Sequence, residues 1–300
     1  MEISIIIPVY NKEDFVEKSI RSALNQDFDD FEVIAVDDES TDQSGAICDR
    51  LAQEDSRLRV FHISNRKVTG ARLYGVEQAK GKYIMFLDSD DELLPNALKA
   101  TYPVIVREGA DEVFATYRDQ YGHHYISHEG WVDDTDGLII ETCNMTARFS
   151  FAWGVLYRKE ILEGCLNPKM GHMYSEDKLM QMKVLMKRPK VFFIRDCIYL
   201  YNIGIPNTWK SFTLAKDIEL EEELKRTFAP HWDRLEIAYI MHRIKVYEDH
   251  LFLRDFEGCK HYQDLRHVKD KQLSRASRLI LALPPRLAWI PVWLYRKYKR

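Results

Sequence analysis

Cysteine is sparse and scattered in this 300-residue chain. The five, Cys48, Cys143, Cys165, Cys197 and Cys259, are odd in number and never stand in C-x-x-C spacing. That pattern argues against a disulfide framework and against a zinc site. A dominant charge of one sign is also missing: the net charge is only −4, so nothing global points to nucleic acid as a partner. No G-x-G-x-x-G turn follows the first apolar segment, where Tyr10-Asn11-Lys12 stands instead. This removes the dinucleotide turn of many oxidoreductases. His123, His124 and His128 lack H-E-x-x-H spacing and are expected at surface or groove positions rather than on a metal. The opening Met1-Glu2-Ile3-Ser4-Ile5 has no basic start, apolar core or small-residue cleavage site, which predicts a chain kept in the reducing cytoplasm.

What is present is an ordinary globular balance, 46% hydrophobic and 30% charged. The first half alternates strand and helix signals. Ile3 to Val9 is β-branched and unbroken, a buried strand, with Pro8 near its end. Asn11 is placed to cap a helix carrying Phe15, Ile20 and Leu24. Strands are predicted at Phe31 to Val36 and Leu58 to Ile63, helices at Gly45 to Glu54 and Val68 to Ala79, with Gly81 closing the second helix. Ile84-Met85-Phe86-Leu87 then reads as a central strand. Such alternation implies an α/β fold, a mostly parallel sheet covered by helices.

Two of these strands end in acid. Asp37-Asp38 follows one, and Asp88-Ser89-Asp90-Asp91 follows the other. Parallel strands bring their carboxyl ends to one edge, which is where open α/β sheets bind ligands. Short Asp/Ser runs also suit ordinary turns. Two clusters on one edge would repel unless a cation or donor is shared, and hard carboxylate oxygens suit Mg²⁺ or Mn²⁺ beside phosphate.

At this point Ser4-Ile5-Ile6-Ile7-Pro8-Val9-Tyr10-Asn11, Val36-Asp37-Asp38-Glu39-Ser40-Thr41-Asp42 and Gly81 to Asp91 closely resemble the family 2 glycosyltransferases of GT-A fold. The resemblance is strong over about the first ninety residues and continues to about Tyr201. It implies a Rossmann-like GT-A domain over residues 1–210, with a nucleotide-binding half at 1–95 and an acceptor half at 96–210. Residues 211–300 then form a helical extension. It implies inverting transfer from a nucleotide-sugar, usually a UDP-sugar, to a hydroxyl of a glycan in surface polysaccharide synthesis. Pro8, Tyr10 and Asp38 match nucleobase-pocket positions, Arg72 a nucleotide-holding arginine, and Asp88-Ser89-Asp90 the D-x-D signature. In that signature Asp90 is the main metal ligand, and Asp88 lies by the ribose and the metal. Glu39 departs from a common glycine, and Asn65-Arg66-Lys67 is bulkier than the usual run, so Arg66 and Lys67 could add diphosphate contacts or be surface charges.

In the second half, Glu112 to Tyr117 and His124 to Ser127 are expected to form a hairpin around Tyr121-Gly122. Phe151 to Arg158 is read as a strand leading to a helix near Lys159, with Trp153 in the core or stacked on a sugar. Tyr174-Ser175-Glu176-Asp177 reads as a capped helix start. The resemblance further implies that this pair carries the catalytic base, Asp177 first and Glu176 second or as its orienter. One base suffices for a single displacement, unlike the two carboxylates of retaining glycosidases. Lys210, in a loop after Tyr199-Leu200-Tyr201-Asn202, is a further candidate contact. Asp91 is expected to cap a segment at Glu92 to Leu98.

Asp217 to Arg226 reads as a charged surface helix, and Leu235 to Phe256 as helical packing. The tail over residues 274–300 mixes Leu, Ile and Trp with Arg and Lys, and three prolines interrupt it. A spanning helix is not expected. Peripheral contact with the inner face of the cytoplasmic membrane fits, and so does packing on protein or on a second copy as a homodimer. Membrane contact would bring a lipid-linked acceptor within reach. The alternative function is a catalytically silent nucleotide-sugar-binding subunit of a glycan assembly complex.

Overall fold

The computed structural model describes residues 1–144, 147–167, 175–204, 213–268 and 273–298. Trp209-Lys210-Ser211, Lys271, Lys299 and Arg300 lie outside them. The described chain divides into two compact units. Residues 1–135 and 148–208 form the first, and 136–147 with 209–300 form the second. The segment 136–147 is thus grouped with the C-terminal part, which the sequence reading had begun at residue 211.

The first unit opens as the pattern predicts. β1 (Ile3–Val9), α1 (Val16–Leu24), β2 (Phe31–Asp37), α2 (Ser44–Glu54), β3 (Leu58–His62), α3 (Lys67–Gln78) and β4 (Tyr83–Phe86) alternate in order. Every residue of β1, β2 and β4 is buried, as expected for strands covered on both faces. Then come β5 (Glu92–Leu93), α4 (Ala97–Glu108), β6 (Glu112–Asp119), β7 (His124–Tyr125) and β8 (Gly130–Val132). β9 (Val155–Arg158), α6 (Glu176–Met186) and β10 (Val191–Tyr201) complete this unit, while α5 (Thr135–Cys143), between β8 and β9 in the chain, belongs after its first residue to the second unit.

The described strands make one sheet in the order β3-β2-β1-β4-β9-β6-β10-β5, with β7 on β6 and β8 on β10. β3, β2, β1 and β4 pair in parallel, as do β6 and β10. β9 is antiparallel to both β4 and β6. β4 and β6 therefore point the same way, and the main strands share one carboxyl edge.

Close approach dictates several residue choices. Gly75 on α3 faces β1: an added Cβ would stand 2.4 Å from Ile6 Cγ2. Gly81 is not a helix cap, since α3 ends at Gln78 with Ala79 extended. It is glycine because its Cβ would stand 2.6 Å from the Ser4 backbone nitrogen, and its own N–H donates to Ser4 Oγ at 2.9 Å. Trp153 is core: only 5% exposed, it stacks on Phe151 at 4.4 Å and on Tyr199 at 4.3 Å. The expected helix near Lys159 is a 3₁₀ turn, Lys159–Leu162.

α6 is tied to the sheet by a buried polar chain. Tyr157 Oη donates to Gln181 Oε1 at 2.9 Å, and Gln181 Nε2 donates to Glu112 Oε2 at 2.6 Å. All three side chains are inaccessible.

The second unit contains α7 (Leu214–Phe228), α8 (Trp232–Leu253), α9 (Arg275–Ala282) and α10 (Pro285–Tyr298). Leu251, Tyr262, Leu281, Ala288 and Val292 share its core. α7 is less solvated than its charges suggest: Asp217 and Glu221 are buried. Buried His250 lies between Asp217 at 3.1 Å and Asp255 at 2.8 Å. Among the described residues no helix is long and apolar enough to cross a membrane.

Burial raises Glu112 from an ordinary 4.5 to about 8, against the pull of Gln181's hydrogen bond. A carboxyl raised on folding stabilises the fold below its unfolded value, and that contribution fades as pH climbs to the folded value. Unfolding free energy should therefore fall between about pH 4.5 and pH 8, and Glu112→Gln should flatten that slope. Denaturant titrations across pH measure it, and an unchanged slope in the variant would reject the assignment.

Candidate active site

The shared edge gathers the acidic strand ends. Val9 is level with Asp37 and Ile6 with Phe86, so the residues after β1, β2 and β4 emerge side by side. Pro8 lies beyond the last β1–β4 pair, where a missing ladder donor is tolerated. Tyr10, just after β1, is 47% exposed.

The two aspartates after β2 have different partners. Asp37 accepts from Ser40 N–H at 3.2 Å and pairs with His62 Nδ1 at 2.8 Å, and a Cβ on Gly45 would stand 2.8 Å from its Oδ2. Asp38 is buried and accepts the backbone N–H of Arg66 at 2.7 Å. Burial pushes its pKa up, against the backbone N–H groups of Arg66 and Lys67. Arg66 and Lys67 thus meet Asp38 through their backbone, and the Arg66 guanidinium sits over the Tyr74 ring at 5.8 Å.

The centre of the site is Arg72 on α3, 2% exposed. Its Nη2 donates to Asp88 Oδ1 at 2.8 Å. Its Nη1 donates to Asp177 Oδ1 and lies 3.5 Å from Glu176 Oε1. The D-x-D segment and the first turn of α6 therefore meet on one guanidinium. Burial alone would lower the pKa of Arg72, but Asp177, Asp88 and Glu176 outweigh it and hold the group charged. Burial raises Asp88, with Arg72 opposing and Asp177 and Asp90 adding. Glu176 is raised by burial first and then by the Asp177 charge, a combination that favours a proton on Glu176 and its hydrogen bond to Asp177.

Ser175 does not cap α6 through its side chain. It takes a left-handed φ of 69°, and Glu176 and Asp177 occupy the first turn. Ser89 is buried between its two aspartates. Asp90 pairs with Lys12 Nζ at 2.6 Å. Asp91 caps no helix: α4 begins only at Ala97. Its carboxylate accepts Tyr199 Oη at 2.9 Å and Asn202 N–H at 2.7 Å, and Asn202 Nδ2 donates to the Asp90 carbonyl at 2.7 Å.

Of the expected residues, Asp88, Glu176 and Asp177 all meet Arg72. Asp90 adjoins them, and Pro8, Tyr10 and Asp38 lie along the same edge. The histidines do not converge: His123 pairs with Asp119 at 2.8 Å, and the His128 ring packs against Phe193 at 5.0 Å. Lys12 joined the site with no local signal, and Tyr199 and Asn202, legible only as part of a strand, joined it through Asp91. Asp91 and Asn202 are 111 residues apart in sequence.

Among the described residues no group of three or more His, Cys, Asp or Glu is arranged around an ion position. The donor set nevertheless fits magnesium or manganese. Asp88 and Asp90 use one oxygen each for Arg72 and Lys12, which leaves Asp88 Oδ2 and Asp90 Oδ1 outside those pairs. Such ions take one or two carboxylates and complete their shell with water and phosphate.

A buried cation flanked by carboxylates is costly to remove. Arg72→Met should destabilise the chain by about 3–5 kcal/mol, the range for deleting one side of a buried ion pair. Chemical denaturation would measure this. A loss below about 1 kcal/mol, typical of exposed pairs, would show that the cluster is solvent-screened.

The sequence profile "Glycosyl transferase family 2" matches residues 4–166. A Bacillus subtilis (strain 168) protein, the uncharacterized glycosyltransferase EpsJ, is 45% identical over 237 residues, covering 76% of this chain and 69% of EpsJ. The Campylobacter jejuni GalNAc(5)-diNAcBac-PP-undecaprenol beta-1,3-glucosyltransferase is 30% identical over 205 residues, 67% of this chain and 65% of that enzyme. Coverage falls to 30% of another curated relative. Among solved structures, S. aureus TarS 1-349 in complex with UDP-GlcNAc aligns with 99% of this chain and 92% of its own, at TM-score 0.61 and 20% identity. At that identity the likeness is one of fold.

Proposed function

The chain belongs to glycosyl transferase family 2, and from that premise we propose that it moves a sugar from a nucleotide-sugar, a UDP-sugar first, to a glycan hydroxyl by a single inverting displacement. The observation that carries this reading is Arg72, which joins the D-x-D aspartate Asp88 to Glu176 and Asp177. Donor-side and base-side carboxylates thus stand around one fixed charge. Solved complexes of the fold neighbour TarS with UDP-GlcNAc and with UDP support a uridine nucleotide donor.

In this reading Pro8, Tyr10 and Asp38 hold the nucleobase along the edge of β1 and β2. Asp88 and Ser89 adjoin the ribose and diphosphate. Asp90 and Asp88 would hold Mg²⁺ or Mn²⁺, and a structure of the neighbour PcManGT contains GDP-Man and Mn²⁺. When bound, such an ion offsets charge on the leaving diphosphate. Asp177 accepts the proton of the acceptor hydroxyl as that oxygen attacks the anomeric carbon. Arg72 holds Asp177 in place, and protonated Glu176 orients it by donating a hydrogen bond.

Asp177→Asn should lower turnover by roughly 10²–10⁴-fold, the usual worth of a general base, while UDP affinity stays within a few-fold. Release of UDP from a panel of UDP-sugars with Mn²⁺ and candidate acceptors reads the first, and calorimetry the second. Normal turnover in the variant would reject the base assignment. Donor binding without transfer by the unaltered chain would favour the silent-subunit reading.

The acceptor is proposed to be lipid-linked, met at the inner face of the cytoplasmic membrane. α10 packs Ala288 and Val292 inward and leaves Leu287 53%, Ile290 42% and Leu294 41% exposed. Arg286, Arg296 and Lys297 lie on the same helix. An apolar face among basic residues suits an interfacial helix. The C. jejuni relative is named for a PP-undecaprenol-linked acceptor, which supports this choice. Because Ala288 and Val292 are core, substitution tests the idea better than truncation. Leu287→Glu with Leu294→Glu should cut co-sedimentation with anionic vesicles at least ten-fold, since each buried apolar side chain is worth about 1.5–3 kcal/mol. Transfer to a soluble acceptor should persist, and unchanged vesicle binding would sink the proposal.

A further inference from the structure

We infer that Lys12 is a built-in counter-cation for Asp90, which competes with a divalent ion for that carboxylate. Lys12 thereby sets the metal affinity of the donor-free protein. The inference rests on the reading of Asp90 as a metal ligand. Lys12 Nζ lies 2.6 Å from Asp90 Oδ2, and each side chain keeps only 20% of its surface exposed.

The placement of Lys12 is not incidental, because its backbone is held on every side. Its N–H donates to Ser44 Oγ at 2.7 Å. Its carbonyl accepts Phe15 N–H at 2.9 Å and Val16 N–H at 2.8 Å, which closes the turn leading into α1. Asn11, expected to cap that helix, instead takes a left-handed φ of 51° and accepts Thr41 N–H at 2.8 Å. The Asn11 N–H donates to Ser40 Oγ at 3.1 Å. Glu13 N–H donates to Asp42 Oδ2 at 3.1 Å, and Gln43 N–H to Glu13 Oε2 at 2.9 Å. The loops after β1 and β2 are laced together, and Lys12 projects from that lacing toward the loop after β4.

With Lys12 on Asp90 Oδ2, an ion on Oδ1 would stand on the same carboxylate as an ammonium, and like charges that close repel. Without donor, Lys12 offsets the repulsion between Asp90 and its neighbour Asp88. The ion gains Asp90 at full strength only as the ammonium withdraws from Oδ2. A lysine suits that exchange: it is a point charge on a flexible four-carbon stem, whereas an arginine fork would hold the carboxylate in two places. A phosphate-bearing donor brings the anion that takes up the released charge.

The test is Mn²⁺ binding to the full chain without donor, followed by electron paramagnetic resonance of free Mn²⁺. Lys12→Gln should tighten binding about five-fold, the scale of a partly exposed ion pair. Lys12→Arg should stay near or below the unaltered affinity. Tightening is diagnostic, because a variant that merely damaged the fold would bind less. Equal or weaker binding by Lys12→Gln, with Asp90→Asn abolishing binding, overturns the Lys12 inference alone. No Mn²⁺ binding by the unaltered chain, with or without UDP, or undiminished binding by Asp90→Asn, overturns both and identifies the metal reading as the error.

Discussion

Three carboxylates share one buried guanidinium, and much else in the catalytic unit follows from that arrangement. Asp88, Glu176 and Asp177 would repel one another at these distances, and Arg72 is what permits them to converge. The cation sits on α3, one acid follows β4, and two open α6. The three segments are therefore coupled: none can shift without exposing or orphaning a buried charge. Only a planar fork of several donors meets acids on two sides at once. The Glu112–Gln181–Tyr157 chain serves the same end from beneath, holding α6 one turn after Asp177.

Five aspartates stand at the ends of β2 and β4, and their surroundings give them different work. Asp37 is spent on His62 and Ser40, and Asp38 on the backbone leading into α3. Asp88 faces Arg72 and Asp90 faces Lys12. Asp91 is raised to about 8, by burial first and then by Asp88. Its bonds to Tyr199 and Asn202 fasten the turn to β10.

The alternation of strands and helices through β4 was legible, because buried parallel strands are unbroken apolar runs and their acidic ends stand out. The meeting of the two clusters on one edge followed from strand direction alone. What could not be read was every partnership made across the fold. Arg72 reaches Asp177 over 105 residues, and Asp91 reaches Tyr199 over 108; no periodicity encodes such pairs. Local rules misled where a side chain had a better distant partner. Asn11 left its helix for Thr41, and Asp91 left α4 for β10. Gly81 was glycine for the closeness of Ser4, a fact of packing rather than of helix termination. Asp217 and Glu221 looked like surface acids because nothing nearby in sequence announces that they are buried.

The antiparallel strand β9 has a bearing on how the chain is made. It fills the slot between β4 and β6, pairing Tyr83 with Arg158 and Met85 with Leu156. Without residues 156–158 the outer edge of β4 would have no strand to pair its backbone N–H and C=O groups. Bare edges of this kind recruit other chains, and contacts between residues so far apart form late. Completion of the sheet beside the nucleotide half thus depends on a strand more than seventy residues further along the chain.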